Sequence, residues 1–192
     1  MPIRTPLETV NQSTVQLPRI LEPRNSGIPL DMDWLRAVEA NTSAIERRCS
    51  SIPGRRSIKN DHQAAWLLRA ITCIDLTTLS GDDTERRVQR ICAKARQPVR
   101  ADLLKQLNLT GLTTGAVCVY HEMVQTAVAA LKGSGIPVAA VSTGFPAGLS
   151  PLHLRIQEIA ESVKAGAKEI DIVISRRHVL EGNWQALYEE TL

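Results

Sequence analysis

The chain has 192 residues and a mass of 21.1 kDa, long enough for one domain with a substantial core. Apolar residues at 43% and charged residues at 22% argue against global disorder, and aromatics at only 3% argue against the stacking platforms of single-strand nucleic-acid binders. The net charge of +3 is confined to the first sixty residues (nine Lys and Arg against six Asp and Glu, with fourteen of each beyond), so no basic face for nucleic acid is expected on the folded part.

No apolar run approaches the ~18–20 residues of a membrane span, and no basic-then-apolar leader with a cleavage site opens the chain. A cytoplasmic protein with no membrane partner is expected. The four cysteines, Cys49, Cys73, Cys92 and Cys118, form no C-x-x-C pair and have no histidine at ligand spacing, so neither structural zinc nor a disulfide framework is expected.

In chain order, residues 1–26 are rich in Pro, Ser, Thr and Asn without a sustained period and predict a mobile tail. Their spaced arginines and few acids leave a mitochondrial address open. Residues 27–70 read as a helical extension. Within it, one helix over 31–49 carries Trp34, Leu35, Val38 and Ile45 on one face, a break follows at Gly54–Arg56, and a second helix starts near Asp61. From residue 71 strands and helices alternate. ITCIDLT (71–77) predicts a strand, TLSGDDT (78–84) a loop with Asp83 and Thr84 as capping residues, and a helix runs from there to about Arg96. GAVCVY (115–120) predicts the second strand, followed by a helix that ends at Gly133. VAAVST (138–143) predicts the third strand; GFPAGLS (144–150) is a glycine-rich loop leading to a helix with Ser150 as N-cap and Pro151 at the first helical position. EIDIVI (169–174) predicts the fourth strand, and a last helix starts near Asn183.

Short, nearly continuous apolar strands separated by helices indicate a parallel sheet covered by helices, in a doubly wound sheet or a (β/α)8 barrel. The barrel is favoured because no Gly-x-Gly-x-x-Gly follows the first strand, and because polar residues recur within or just after the strands. Four such units fit residues 71–192, half of the eight a barrel requires. The expected fold class is therefore α/β, the first four βα units of a partial (β/α)8 TIM barrel preceded by a helical extension.

Side chains alternate along a strand. In EIDIVI, Ile170, Ile172 and Ile174 share the face suited to packing against helices. Asp171 then points inward, where a carboxylate meets little solvent and must be paired or protonated. In ITCIDLT, Cys73 and Asp75 share a face in the same way. Two inward acids are a candidate acid/base pair, one charged wall of a cation site, or half of a structural ion pair. Cys118 reads as packing before nucleophile. The histidines at 62, 121, 153 and 178 share no spacing and read as surface residues rather than ligands.

From Ser57 to Leu192, about 70% of the chain, the sequence resembles deoxyribose-phosphate aldolase in the form with an N-terminal helical extension. The resemblance rests on QAAWLLRAITCIDLTTLSGDDT (63–84), AVCVY (116–120), GFPAG (144–148), AGAKEIDIVI (165–174) and LEGNWQALYEE (180–190), and it covers the first half of the family's barrel. It implies a class I aldolase that needs no cofactor or metal. Such an enzyme reversibly cleaves 2-deoxy-D-ribose 5-phosphate to D-glyceraldehyde 3-phosphate and acetaldehyde in deoxyribonucleotide catabolism. The partner is then a small phosphorylated sugar. A lysine Schiff base serves as electron sink, a second lysine lowers the first one's pKa, and an aspartate moves protons. By motif Asp171 takes that aspartate's position, Asp75 that of a substrate-hydroxyl partner, and Cys118 that of a pocket-lining cysteine.

The departures are specific. The family's two lysines lie on its sixth and seventh strands and its phosphate loops on the last ones. The six lysines here (Lys59, Lys94, Lys105, Lys132, Lys164 and Lys168) fall outside the C-terminal ends of the predicted strands. His121 stands where the family commonly has proline. The chain is accordingly expected to be the N-terminal portion of an aldolase, inactive alone. The alternatives are a non-catalytic half-barrel that binds a partner or self-associates through its open sheet edges, and a half that docks with a separate C-terminal half.

Overall fold

The computed structural model describes residues 28–55 and 57–192. The tail expected over 1–26 lies outside them. The chain divides into two units, Met1–Asp31 and Met32–Leu192, and the helices and strands below belong to the second.

Where the sequence suggests one helix over 31–49 there are two, α1 (Met32–Ala37) and α2 (Thr42–Ser51). The division falls at Asn41. Its side-chain oxygen accepts the Ala44 N–H at 2.9 Å, which caps a new helix rather than continuing the old one. α3 (Asn60–Ile71) follows, starting one residue before Asp61. No residue of these three helices is buried, and Trp34, Ile45, Trp66 and Leu67 are all more than half exposed.

The first strand is much shorter than its apolar run. α3 extends through Ile71, and the next N–H groups still turn back on it: Thr72 to Arg69, Cys73 to Ala70 and Ile74 to Ile71. Only β1 (Asp75–Thr77) is extended. Composition cannot mark this junction, because apolar residues suit the last helical turn as well as a strand.

Beyond β1 the units follow one another: α4 (Glu85–Arg96), α5 (Ala101–Gln106), β2 (Ala116–Tyr120), a 3-10 turn (His121–Met123), α6 (Val124–Leu131), β3 (Val138–Ser142), α7 (Leu152–Lys164), β4 (Glu169–Ile172), α8 (Arg176–Leu180) and α9 (Trp184–Thr191). Thr84 and Asn183 cap α4 and α9 through their side chains, as their residue types predict. At α7 the cap shifts by one residue, with Pro151 itself at the N-cap.

All three strand pairs are parallel and the sheet order is β1-β2-β3-β4. A doubly wound sheet reverses its order at a switch point; here the order never reverses. The main core lies on one side of the sheet. Val88, Cys92 and Ala95 of α4 and Val124, Ala127 and Leu131 of α6 meet Val117, Val119, Val138 and Ala140 of the central strands. The spacings of three, four and seven along each helix place these groups on single stripes. α7 packs against β3 and β4. The architecture is four βα units of a partial (β/α)8 barrel. No helix among the described residues is long and apolar enough to cross a membrane.

Candidate functional site

Strand parity sorts the side chains. Leu76, Val117, Val119, Val138, Ala140 and Ile170 belong to the helix-side core. The alternate residues Cys118, Ala139 and Val141 form a second, small cluster with Leu79, Tyr120 and Phe145 on the opposite face. The register aligns Thr77, Cys118, Ala139 and Glu169 in one row across the sheet and Tyr120, Val141 and Asp171 in the next, with Asp75 beside Ala116. Asp75, Cys118 and Asp171 therefore meet on one face.

The electrostatics agree with that placement. Burial pushes the Cys118 thiol up to about 11, and the charges of Asp171 and Asp75 push it the same way against a hydrogen bond from Thr77. Glu169, a residue the strand reading passed over, belongs to the same face. Burial raises its pKa, and Asp75 raises it further. Its signal in the sequence was its parity with Asp171, two residues on.

Asp171 is exposed rather than enclosed, which corrects the expectation of a carboxylate with little solvent. Four strands do not curl into a closed wall, so the face that carries Asp171 stays open. Of the three isoleucines expected against the helices, Ile170 packs there while Ile172 and Ile174 keep 42% and 36% of their surface. Ion pairs occur elsewhere, among them Arg87 with Asp82 and Asp83, and Arg155 with Glu190. Two surface depressions also lie off this face, one between α4 and α6 and one around Lys59, His62 and Trp66.

At the C-terminal ends of the strands the loops are fastened by side chains. Thr143, in the left-handed region at φ 61°, bonds both the N–H and the carbonyl of Val173 through its hydroxyl, at 2.6 and 2.9 Å. Glu158 accepts the Gly144 N–H at 2.8 Å and lies 3.4 Å from His121 Nδ1. The Phe145–Pro146 peptide is cis, and Phe145 meets Tyr120 edge to face. A β-carbon at Gly148 would fall 2.9 Å from Val173 Cγ1. Gly148 thus lets this loop pack closely against the segment that follows β4.

A buried polar group follows β4. Glu190 of α9 accepts the Ser175 N–H at 2.6 Å and the Ser175 hydroxyl at 2.7 Å, and pairs with Arg155 of α7 at 3.2 Å. His178 of α8 lies 3.9 Å away. Burial alone would raise the Glu190 pKa. The Ser175 side chain and N–H, with the Arg155 hydrogen bond and charge, more than offset it and hold the carboxyl below its usual range. Arg155 and Glu190 are 35 residues apart, and no local pattern could have joined them.

Lys94, Lys105 and Lys164 lie in helices, Lys132 ends α6, Lys59 precedes α3, and Lys168 precedes β4, so none follows the C-terminal end of a strand. Among the described residues no group of three or more His, Cys, Asp or Glu is placed to hold a metal ion.

No family model matches the chain. A deoxyribose-phosphate aldolase of Mus musculus is 56% identical over 168 residues, which are 85% of this chain and 53% of that protein. One of Homo sapiens is 52% identical over 174 residues, 88% of this chain and 55% of that protein. Among solved structures, a provisionally named deoxyribose-phosphate aldolase of Coccidioides immitis superposes with a TM-score of 0.52 at 24% identity, covering 64% of this chain and 43% of that one. That likeness is one of fold. The chain spans about half the length of the curated relatives it matches.

Proposed function

We propose, from the premise that this chain is a homologue of the deoxyribose-phosphate aldolases spanning about half their length, that the open acidic face of its sheet is one wall of an aldolase site. The substrate class is a small phosphorylated sugar, 2-deoxy-D-ribose 5-phosphate, cleaved reversibly to D-glyceraldehyde 3-phosphate and acetaldehyde. Asp171 moves the protons, Asp75 holds a substrate hydroxyl and Cys118 lines the pocket as a protonated thiol. The supporting observation is the convergence of these three residues on one face of the sheet. Residues 27–70 form the extension and 71–192 the barrel half, in a cytoplasmic protein.

Cleaving the carbon–carbon bond leaves an electron pair on carbon, and a protonated lysine imine is the sink that makes this accessible. The six lysines lie away from the strand ends where such an imine must form. The chain by itself therefore binds at most part of the substrate and does not turn it over. Borohydride reduction with deoxyribose 5-phosphate, followed by intact mass, tests this: the 21.1 kDa species should carry no adduct. A reduced adduct on one of the six lysines would refute it. In a full-length parent, Asp171→Asn should cut turnover at least a hundredfold with the fold intact. Unchanged turnover would remove Asp171 from the mechanism.

A second reading, a non-catalytic self-associating half-barrel, is favoured by one observation. Among the described residues β1 and β4 each have a single strand partner, so each offers a row of backbone groups without a strand beside it. A mass that rises with concentration supports this reading, and a constant monomer mass removes it.

A further inference from the structure

We propose that Glu190 is a positioning residue, whose ionised carboxylate fastens the chain leaving β4 to α7 and α9 and so fixes the end of the strand that carries Asp171. The segment Val173–Ser175 continues β4 toward the rim, and among the described residues β4 has a strand partner on one side only. Its backbone is held instead by side chains. Thr143 takes the N–H and carbonyl of Val173 from the β3 side. Glu190 takes the N–H and hydroxyl of Ser175 from the helix side.

The groups facing Glu190 are Arg155 from α7, Ser175 from the loop after β4 and His178 from α8. Its side chain keeps only 8% of its surface and that of Arg155 only 9%. With both oxygens engaged, an ionised carboxylate can serve the Ser175 N–H, the Ser175 hydroxyl and Arg155 at once. A protonated one gives up acceptor capacity and leaves the Arg155 charge buried without its counterion. Burial works against the charge, but Ser175 and Arg155 together hold the Glu190 carboxyl below its usual range, so the tie persists down to acidic pH. The proposal rests on the aldolase reading only for what Asp171 does there. The holding of the strand end stands or falls without substrate.

Backbone amide hydrogen exchange, corrected for intrinsic rate and read residue by residue on the whole chain, tests it. In the wild type, protection of the Ser175 amide should be constant from neutral pH to the ordinary glutamate range. Below about pH 4 it should fall, ahead of the β2 amides of Val117 and Val119. Glu190→Gln should lower Ser175 protection about tenfold or more at neutral pH, leave the β2 amides unchanged and abolish the acid step. Unchanged Ser175 protection in the variant would overturn the proposal. So would parallel loss at Ser175 and in β2, which would make Glu190 a general stabiliser of the fold. Should the variant not fold, the wild-type titration decides: Ser175 opening before β2 supports the assignment, and simultaneous opening refutes it.

Discussion

Asp83 reads in the sequence as a capping residue, but its carboxylate does something else. It accepts the Thr78 hydroxyl at 2.8 Å, the Ser80 N–H at 3.0 Å and Arg87 at 3.2 Å, tying the loop after β1 to the first turn of α4 while Thr84 makes the cap. Burial works against its charge, yet these bonds together lower its pKa. A carboxyl lowered in the folded state contributes stability above its unfolded value, about pH 4, and loses it as pH falls through the folded value. Asp83→Asn should therefore cost about 2 kcal/mol at pH 7 and flatten the acid limb of the unfolding curve, measured by urea titration at several pH values. Cys118 gives a second check. Its thiol, held near 11 and buried, should alkylate far more slowly at pH 8 than the exposed Cys49 and Cys73. Buried Cys92, its thiol also raised by burial, should be slow as well, so mass spectrometry should show two fast additions and two slow ones.

At the scale of elements, the segments leading into β1 and β2 approach each other closely. A β-carbon at Gly115 would stand 3.0 Å from the Thr72 carbonyl oxygen and 3.4 Å from that of Ile74, and both are backbone atoms that cannot swing aside. The Gly115 N–H also bonds the Ile74 carbonyl at 2.9 Å. Gly115→Ala should force the two strands apart and lower the melting temperature, at a cost of about 1–3 kcal/mol. Val119→Ala, which only opens a gap in the core, should cost about 2 kcal/mol without disturbing the pairing. β2 and β3 were legible because every residue but the last of β2 is buried, which leaves a continuous apolar run in the sequence. The α3–β1 junction was not, since Ile71, Thr72 and Cys73 satisfy their backbone groups in a helical turn with a strand-like composition. α8 was missed for the opposite reason: RRHVL is five mostly polar residues, too short to show a period. Of the candidate site, parity on two strands placed Asp75 and Asp171 on a common face. The exposure of Asp171 and the Arg155–Glu190 tie depend on contacts between distant segments, which no window of sequence contains.

Across the whole molecule, sheet order and the one-sided core act together. Each strand sends one set of alternating side chains into the helix layer and the other set to the face with Asp75, Glu169 and Asp171. If the half-barrel self-associates through β1 and β4, sedimentation across a hundredfold concentration range should show a rising mass, and Thr77→Pro should suppress it by removing an N–H on the side away from β2, since the neighbouring Thr78 N–H is the one that bonds Cys118. An even core on both sides of the sheet would tolerate a one-residue shift of a central strand. This sheet has no such tolerance. A single residue inserted before Val117 would carry Cys118 into the helix layer and Val119 out toward the carboxylates, whereas two residues inserted there would restore the alternation. Length changes in β2 and β3 should thus survive in pairs and fail singly, so the two faces of this sheet are kept distinct by counting.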